Sequence, residues 1–414
     1  MKNLCMVCLL ATLSPQLFAG GPLARATLTP LNATGRDLVY DTTRDVLYMS
    51  VPSSAGFPYG NSVVTLDPAT GEITHSAFVG SEPNRMAIAA DGTRVYVGID
   101  GANAFTWWEP ATDTVGPLVG FTSPGPWGPY VVQDLAVNPD DPHVVVISKD
   151  DVASSATGDL EIFRDQTSLA DLNLIYGPQS ICFGDGSTLL GHNYYTSSYD
   201  LWKWTFDGST LTQQADIWGV LAGATRIEAK GGKLFANNGR VADVATLQPL
   251  GTFSGTPGWA AHEPVDNGAL VYFLGVSATA NFGLDLMTFD TRTLLKLDSR
   301  TFANTPFTGI QTLLLAGDDG TGGERFAFMD ANGIVGTITV PAMVVKVDAF
   351  QSNGRISQLT WAATIGRTYR IEWSRDLLTW TTLQTATANQ ASITKTFNAI
   401  GTASEPEFYR VVEQ

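Results

Sequence analysis

Apolar residues along this chain fall in short runs separated by Gly- and Asp-rich turns, and the runs recur in groups. Asp37 to Asp41 is followed by Val46 to Ser50 and Ser62 to Asp67, and Thr70-Gly71 turns the chain into Ile73 to Val79. The next group opens with Arg85-Met86-Ala87-Ile88, turns at Asp91-Gly92 and returns along Arg94 to Gly98. Short runs bounded by such turns predict antiparallel strands, four to a group.

The residue before each group's first apolar strand marks the repeat. These residues are Asp37, Arg85, Asp134, Ser180, Arg226, Trp259 and Gly309, spaced by 48, 49, 46, 46, 33 and 50. Four short strands at such a period predict the blades of a β-propeller. The short unit, residues 226–258, still has tight turns at Gly231-Gly232 and Asn237-Asn238-Gly239. The last unit, from Gly309 to about Val345, is one strand short. Thr27 to Leu31 supplies the missing strand, because pairing the first and last segments hides two sheet edges. The expected fold is all-β: a seven-bladed propeller over residues 20–345, closed by an N-terminal strand.

Two stretches carry a family resemblance. Leu66-Asp67-Pro68-Ala69-Thr70-Gly71 and Ala89-Ala90-Asp91-Gly92-Thr93-Arg94-Val95-Tyr96-Val97 resemble the repeats of secreted bacterial YVTN-type seven-bladed propellers, most clearly over residues 37–119. The resemblance implies the fold and leaves the activity open, since relatives include enzymes, binders and surface proteins.

From about Val345 the strands lengthen. Thr368 to Trp373 alternates Tyr369, Ile371 and Trp373 with Arg370 and Glu372, and further strands fall at 356–361, 380–383, 392–397 and 408–412. Residues 346–414 therefore predict a small antiparallel β-sandwich of fibronectin-like size. The run Gly366 to Trp380, with Phe408-Tyr409-Arg410-Val411, resembles a terminal module of secreted bacterial proteins and implies an accessory or attachment role. Ser374, Asp376 and Trp380 are read as a hairpin-stabilising box.

At the other end, Lys2 and the apolar run Leu4 to Leu13, before Leu17-Phe18-Ala19, predict a signal peptide over residues 1–19. The expected location is secreted, extracellular or in the cell envelope. The mature chain then keeps one cysteine, Cys182, inside an apolar run, so no internal disulfide supports the fold.

Composition narrows the function. Forty acidic against 24 basic residues give a net charge of −16. That argues against nucleic acid and anionic lipid as partners. No later run is apolar enough to span a bilayer, and a monomer is expected. There is no Cys/His cluster at zinc spacing, no phosphate loop and no Gly-x-Ser-x-Gly elbow. His75, His143, His192 and His262 are scattered, and Gly317 to Glu324 reads as an acidic hairpin turn. No catalytic residue or metal ligand is assigned, and the cofactor is left open.

Propeller topology directs attention to the face where first strands begin. The charged marker residues Asp37, Arg85, Asp134 and Arg226 ring a funnel there, with Asp37 and Asp134 placed to pair with Arg85 across neighbouring blades. Loops on the same face carry Phe57, Tyr59, Trp127, Tyr130, Tyr194, Tyr195, Tyr199, Trp259 and Phe282. The ligand-binding set is Asp37, Arg85, Asp134, Arg226, Trp259, Tyr194 and Trp127. The function expected from it is binding or surface interaction with a glycan or protein ligand. The alternative is a propeller hydrolase or lyase, lactonase-like, with its active site in the funnel.

Overall fold

The structure, a computed structural model, describes residues 22–280, 282–318, 323–341, 343–345, 347–352, 356–363, 367–375, 379–390, 392–398 and 408–413. The expected signal segment 1–19, Asp376 of the hairpin box and the centre of the acidic turn 317–324 lie outside the described residues.

The chain is all-β, and its strands form where the short apolar runs lie. The first sheet holds Asp37–Asp41, Val46–Val51, Ser62–Leu66 and Ile73–Phe78 in antiparallel order. The second holds Pro83–Ile88, Val95–Ile99 and Ala104–Glu109, its outer edge divided between Thr114–Val115 and Val119–Gly120. Four more sheets follow with the same meander, opening on Tyr130–Val137, Ser180–Asp185, Ile227–Lys230 and Gly258–Val265. The seventh takes Ile310–Asp318, Glu324–Asp330 and Ile334–Val340 from its own segment and Thr27–Thr34 from the start of the chain.

One turn recurs between third and fourth strands, with a local cause. Asp67 Oδ1 accepts hydrogen bonds from the Ala69 and Thr70 amides and the Thr70 hydroxyl. Asp243 does the same for Thr246, and Asp290 for Arg292 and Thr293. The next residue is left-handed each time: Gly71 at φ 74°, Leu247 at 57° and Leu294 at 61°. An acidic side chain capping its own turn makes this conformation available to Leu as well as to Gly.

Each sheet buries both faces against its neighbours. Tyr48, Val63 and Met86 join the first two sheets, Phe105, Val132 and Phe163 the second and third, Ile162, Leu189 and Trp204 the third and fourth. Leu190, Leu201 and Leu234 bridge the fourth and fifth, and Phe235, Phe253 and Phe273 the fifth and sixth. The Tyr272 and Phe326 rings meet at 4.6 Å between the sixth and seventh. Leu38, Met49 and Leu66 of the first sheet then share a core with Leu31, Ala327 and Met329 of the seventh. The succession of apolar interfaces returns to its start.

The chain divides into two compact units, one of residues 28–317 and 326–338, the other containing 339–414 and 318–325. In the second unit Met343–Val345, Phe408–Glu413, Thr368–Ser374 and Thr381–Thr387 form one antiparallel sheet. Val347–Ser352, Ile356–Ala362 and Ser392–Asn398 form another. Leu359, Trp361 and Ile393 of the smaller sheet share one core with Tyr369, Ile371 and Val411 of the larger. Glu372 is buried between Arg370 and Arg410, each at 2.6 Å.

Candidate functional site

An antiparallel meander sends the second-to-third-strand loops to the same end as the connections between sheets. At that end the two kinds of loop are bonded together. The Ser53 hydroxyl and the Arg36 guanidinium reach Glu82, and Asn84 donates to Asp100 at 2.9 Å. The Trp127 and Gly128 amides donate to Asp151, Asn193 donates to the Tyr176 carbonyl, and the Thr305 amide to the Phe282 carbonyl. A rigid loop face results, carried on the starts of the first strands.

First strands of successive sheets pack side by side, and the marker residues sit near their starts. Asp37 does not pair with Arg85, and neither does Asp134. The Asp37 carboxylate accepts from the Met86 amide at 2.8 Å and its own neighbour Leu38, and Asp134 from Ile181 at 2.9 Å and Leu135. Ser180 Oγ accepts from Ile227 at 3.2 Å. First strands of adjacent sheets leave amides without ladder partners, and these side chains satisfy them across the gap. Asp37→Ala should therefore cost about 1–3 kcal/mol of stability, the usual penalty for orphaning buried donors, read from urea unfolding. Asp37→Asn, which keeps one acceptor oxygen, should cost less.

The two arginines are left with open hydrogen bonds. Arg85 donates none to the described residues, and Arg226 reaches only Thr312 Oγ1, at 3.5 Å across to the seventh sheet. Burial alone would lower Arg85, but the fields of Asp37 and Asp134 outweigh it and hold the guanidinium charged. Burial pushes Asp134 up, against the pull of Arg226 and Arg85. Tyr194 accepts a hydrogen bond from Gln133 Nε2 at 2.8 Å, and burial raises its phenol.

Register shifts near the starts of three first strands help to place these groups. They fall between Pro83 and Met86, between Val132 and Asp134, and between Gly258 and Ala261. A bulge re-aims the side chain it frees, and the residues so freed are Asn84 with Arg85, then Gln133, then Trp259 with Ala260. Trp259 and Phe282 take left-handed backbone, φ 47° and 50°, unusual for bulky residues, and are 84% and 83% exposed.

Exposed aromatics concentrate on this face. Phe57 is 100%, Trp127 68% and Trp218 72% exposed, and Tyr176 and Tyr195 are also in solvent. Sequence reasoning missed Trp218 and Tyr176 because nothing local tells an exposed strand end from a packed one. Tyr59, Tyr194 and Tyr199 are half-buried. Tyr130, expected on the face, is buried, with the Lys149 ammonium 4.9 Å over its ring.

Deeper in the first strands lie groups to which the sequence assigned no role. Burial raises Glu228 to about 7, opposed by Lys230 and Arg226, and burial together with Glu228 raises Glu263. Burial and then Arg226 lower His262 to about 3, so it is neutral. Cys182 is half-buried, and burial raises its thiol. His75 and His143 pair elsewhere, with Asp113 and Asp165. Among the described residues, no three His, Cys, Asp or Glu side chains are placed to share a metal ion, and no helix is long and apolar enough to cross a membrane.

No protein-family profile matches this sequence. No curated protein matches it. Solved structures do. A chain of the mitotic checkpoint complex is 11% identical, with a TM-score of 0.56, over 78% of this chain and 96% of that one. U3-55K is 13% identical, with a TM-score of 0.53, over 76% and 98%. The Myceliophteria thermophila Cps50 (Swd1) β-propeller domain is 11% identical, with a TM-score of 0.54, over 75% and 99%. What is shared is the β-propeller fold. In propeller terms the four-stranded sheets are blades, and Arg85, Asp134 and Arg226 stand near the starts of first strands, the strands that in such a fold face the central channel.

Proposed function

We propose that this chain is a secreted, seven-bladed propeller of the YVTN kind that binds a glycan or protein ligand through its loop face. Residues 1–19 direct export. The two-sheet C-terminal unit, a fibronectin-like sandwich, serves as an accessory or attachment module. The observation that carries the reading is the gathering of Phe57, Trp127, Tyr176, Tyr195, Trp218, Trp259 and Phe282 in solvent at one end of the blades. Rigid aromatics offer large contact area at low entropic cost, and they dominate binding hot spots. The bonds among the loops hold that surface in place before any ligand arrives, which limits the ordering cost of binding. A chain of similar fold within the mitotic checkpoint complex is an instance of a propeller inside an assembly.

The test is a triple variant, Trp127→Ala, Trp259→Ala and Phe282→Ala, set against the wild type on an oligosaccharide array and a panel of cell-surface preparations. All three side chains are in solvent, so the melting temperature should stay within a few degrees. Binding should fall by about tenfold or more, roughly 1.4 kcal/mol or more in total. Equal binding by variant and wild type would remove the loop face as the site.

A further inference from the structure

The channel mouth combines balanced charge with unused hydrogen-bond donors. Arg85 and Arg226 bring two positive charges, and the fields of Asp37, Asp134, Asp100 and Glu228 offset them. Yet the four carboxylate oxygens of Asp37 and Asp134 are occupied by the amides of Leu38, Met86, Leu135 and Ile181. The guanidiniums have the fields of the acids without their hydrogen bonds. Each guanidinium carries five N–H donors in a fixed fork, and among the described residues the only protein acceptor is Thr312 Oγ1, for Arg226. The Tyr194 hydroxyl is already engaged, accepting from Gln133 and hydrogen-bonded to Tyr195.

What such a mouth lacks is acceptors, and it has no charge to neutralise. A carboxylate or phosphate would supply acceptors but would also meet Asp37 and Asp134 in a setting already balanced. Uncharged hydroxyl and ring oxygens supply them without that repulsion. Trp259, extruded by a bulge at the start of a neighbouring first strand, offers an aromatic face to a sugar ring. We propose that the channel mouth binds the uncharged end of a saccharide chain, with Arg85 and Arg226 as the principal donors to its oxygens. The proposal rests on the ligand-binding reading of the loop face and names the chemical class of the ligand.

The experiment uses the mature chain and titration calorimetry with neutral hexasaccharides (cello-, xylo-, malto- and chito-series) beside hexagalacturonate, at low and high salt. At least one neutral hexamer should bind, with little change in Kd between the two salts. The double variant Arg85→Lys with Arg226→Lys keeps both charges and loses the planar forks. It should weaken binding by about tenfold or more at unchanged melting temperature. Phenylglyoxal labelling of the wild type needs no variant: the bound neutral hexamer should protect Arg85 and Arg226 from modification. Tight binding of hexagalacturonate alone, unchanged affinity in the lysine variant, or labelling unaffected by sugar would each overturn the proposal. The two readings fail separately. If the aromatic triple variant loses binding while the lysine variant keeps it, the face stands and the arginine assignment falls. If no saccharide binds but a protein ligand needs the aromatics, the saccharide falls and the face again stands.

Discussion

Lys149→Met should destabilise the propeller by about 3–5 kcal/mol at neutral pH, the cost of removing one partner from a buried ionic cluster. Lys149 is fully buried in the third sheet, with Asp159 at 2.9 Å, Glu161 at 3.0 Å and Asp171 at 3.1 Å. Thr122 and Ser123 donate to Glu161 and Asp171, which ties the loop leading to Trp127 into the same cluster. Three carboxylates around one ammonium leave an excess of negative charge, and a shared proton relieves part of it. Burial and then the Asp171 carboxyl raise Asp159 to about 6, while hydrogen bonds from Asp159 and Ser123 and the charge of Lys149 hold Asp171 down to about 2 against burial.

The pH dependence follows from these directions. Asp171, depressed, contributes stability that is present above its unfolded value near 4 and lost as pH falls toward 2. Asp159, raised, favours the folded state while protonated, and that contribution is lost as pH rises from about 4 through 6. Without the ammonium, ionised carboxylates at this site are uncompensated. The gap between wild type and variant should therefore be widest above pH 6 and narrow toward pH 4. Thermal melts of both proteins from pH 4 to 8 check this, and superimposable curves at pH 7 would show that the cluster adds nothing.

Deletion of residues 27–34 should abolish cooperative melting of the propeller. The strand Thr27–Thr34 is the outer member of the seventh sheet, and its Leu31 and Ala33 are buried with Met49, Leu66 and Met329. Without it the edge of Ile334–Val340 is open to other chains, and the core shared by the first and seventh sheets loses one wall. Open edges promote aggregation, so the truncated protein should melt broadly and associate on heating. Leu31→Ala, which keeps the strand and leaves a cavity, should cost about 2–5 kcal/mol with the transition still sharp. A truncated protein that melts as sharply as the wild type, at the same temperature, would mean that this strand does not close the fold.

Much of the architecture was legible because its causes are local. The turn capped by Asp67 uses hydrogen bonds to residues two and three positions on, so its pattern stands in the sequence at Asp243 and Asp290 as well. Strand positions likewise follow from short apolar runs between turn residues. The strand expected at Thr27 to Leu31 was read from a deficit in the last unit, and it pairs there. The site was less legible. Asp37 and Arg85 look like ion-pair partners by charge and spacing, yet an amide 49 residues away takes the carboxylate.

By itself, then, the sequence determined the β character, the repeat and the turns, since each depends on a residue and its near neighbours. Only the tertiary structure decided which amide each marker side chain clasps, which strand starts bulge, and that Tyr130 turns inward over Lys149 while Trp127 stays in solvent. Among the described residues it also left Arg85 without an acceptor and Arg226 with Thr312 Oγ1 alone. These outcomes depend on groups brought together from neighbouring sheets, where the energy of a contact is set by burial and by competing partners that no local pattern encodes.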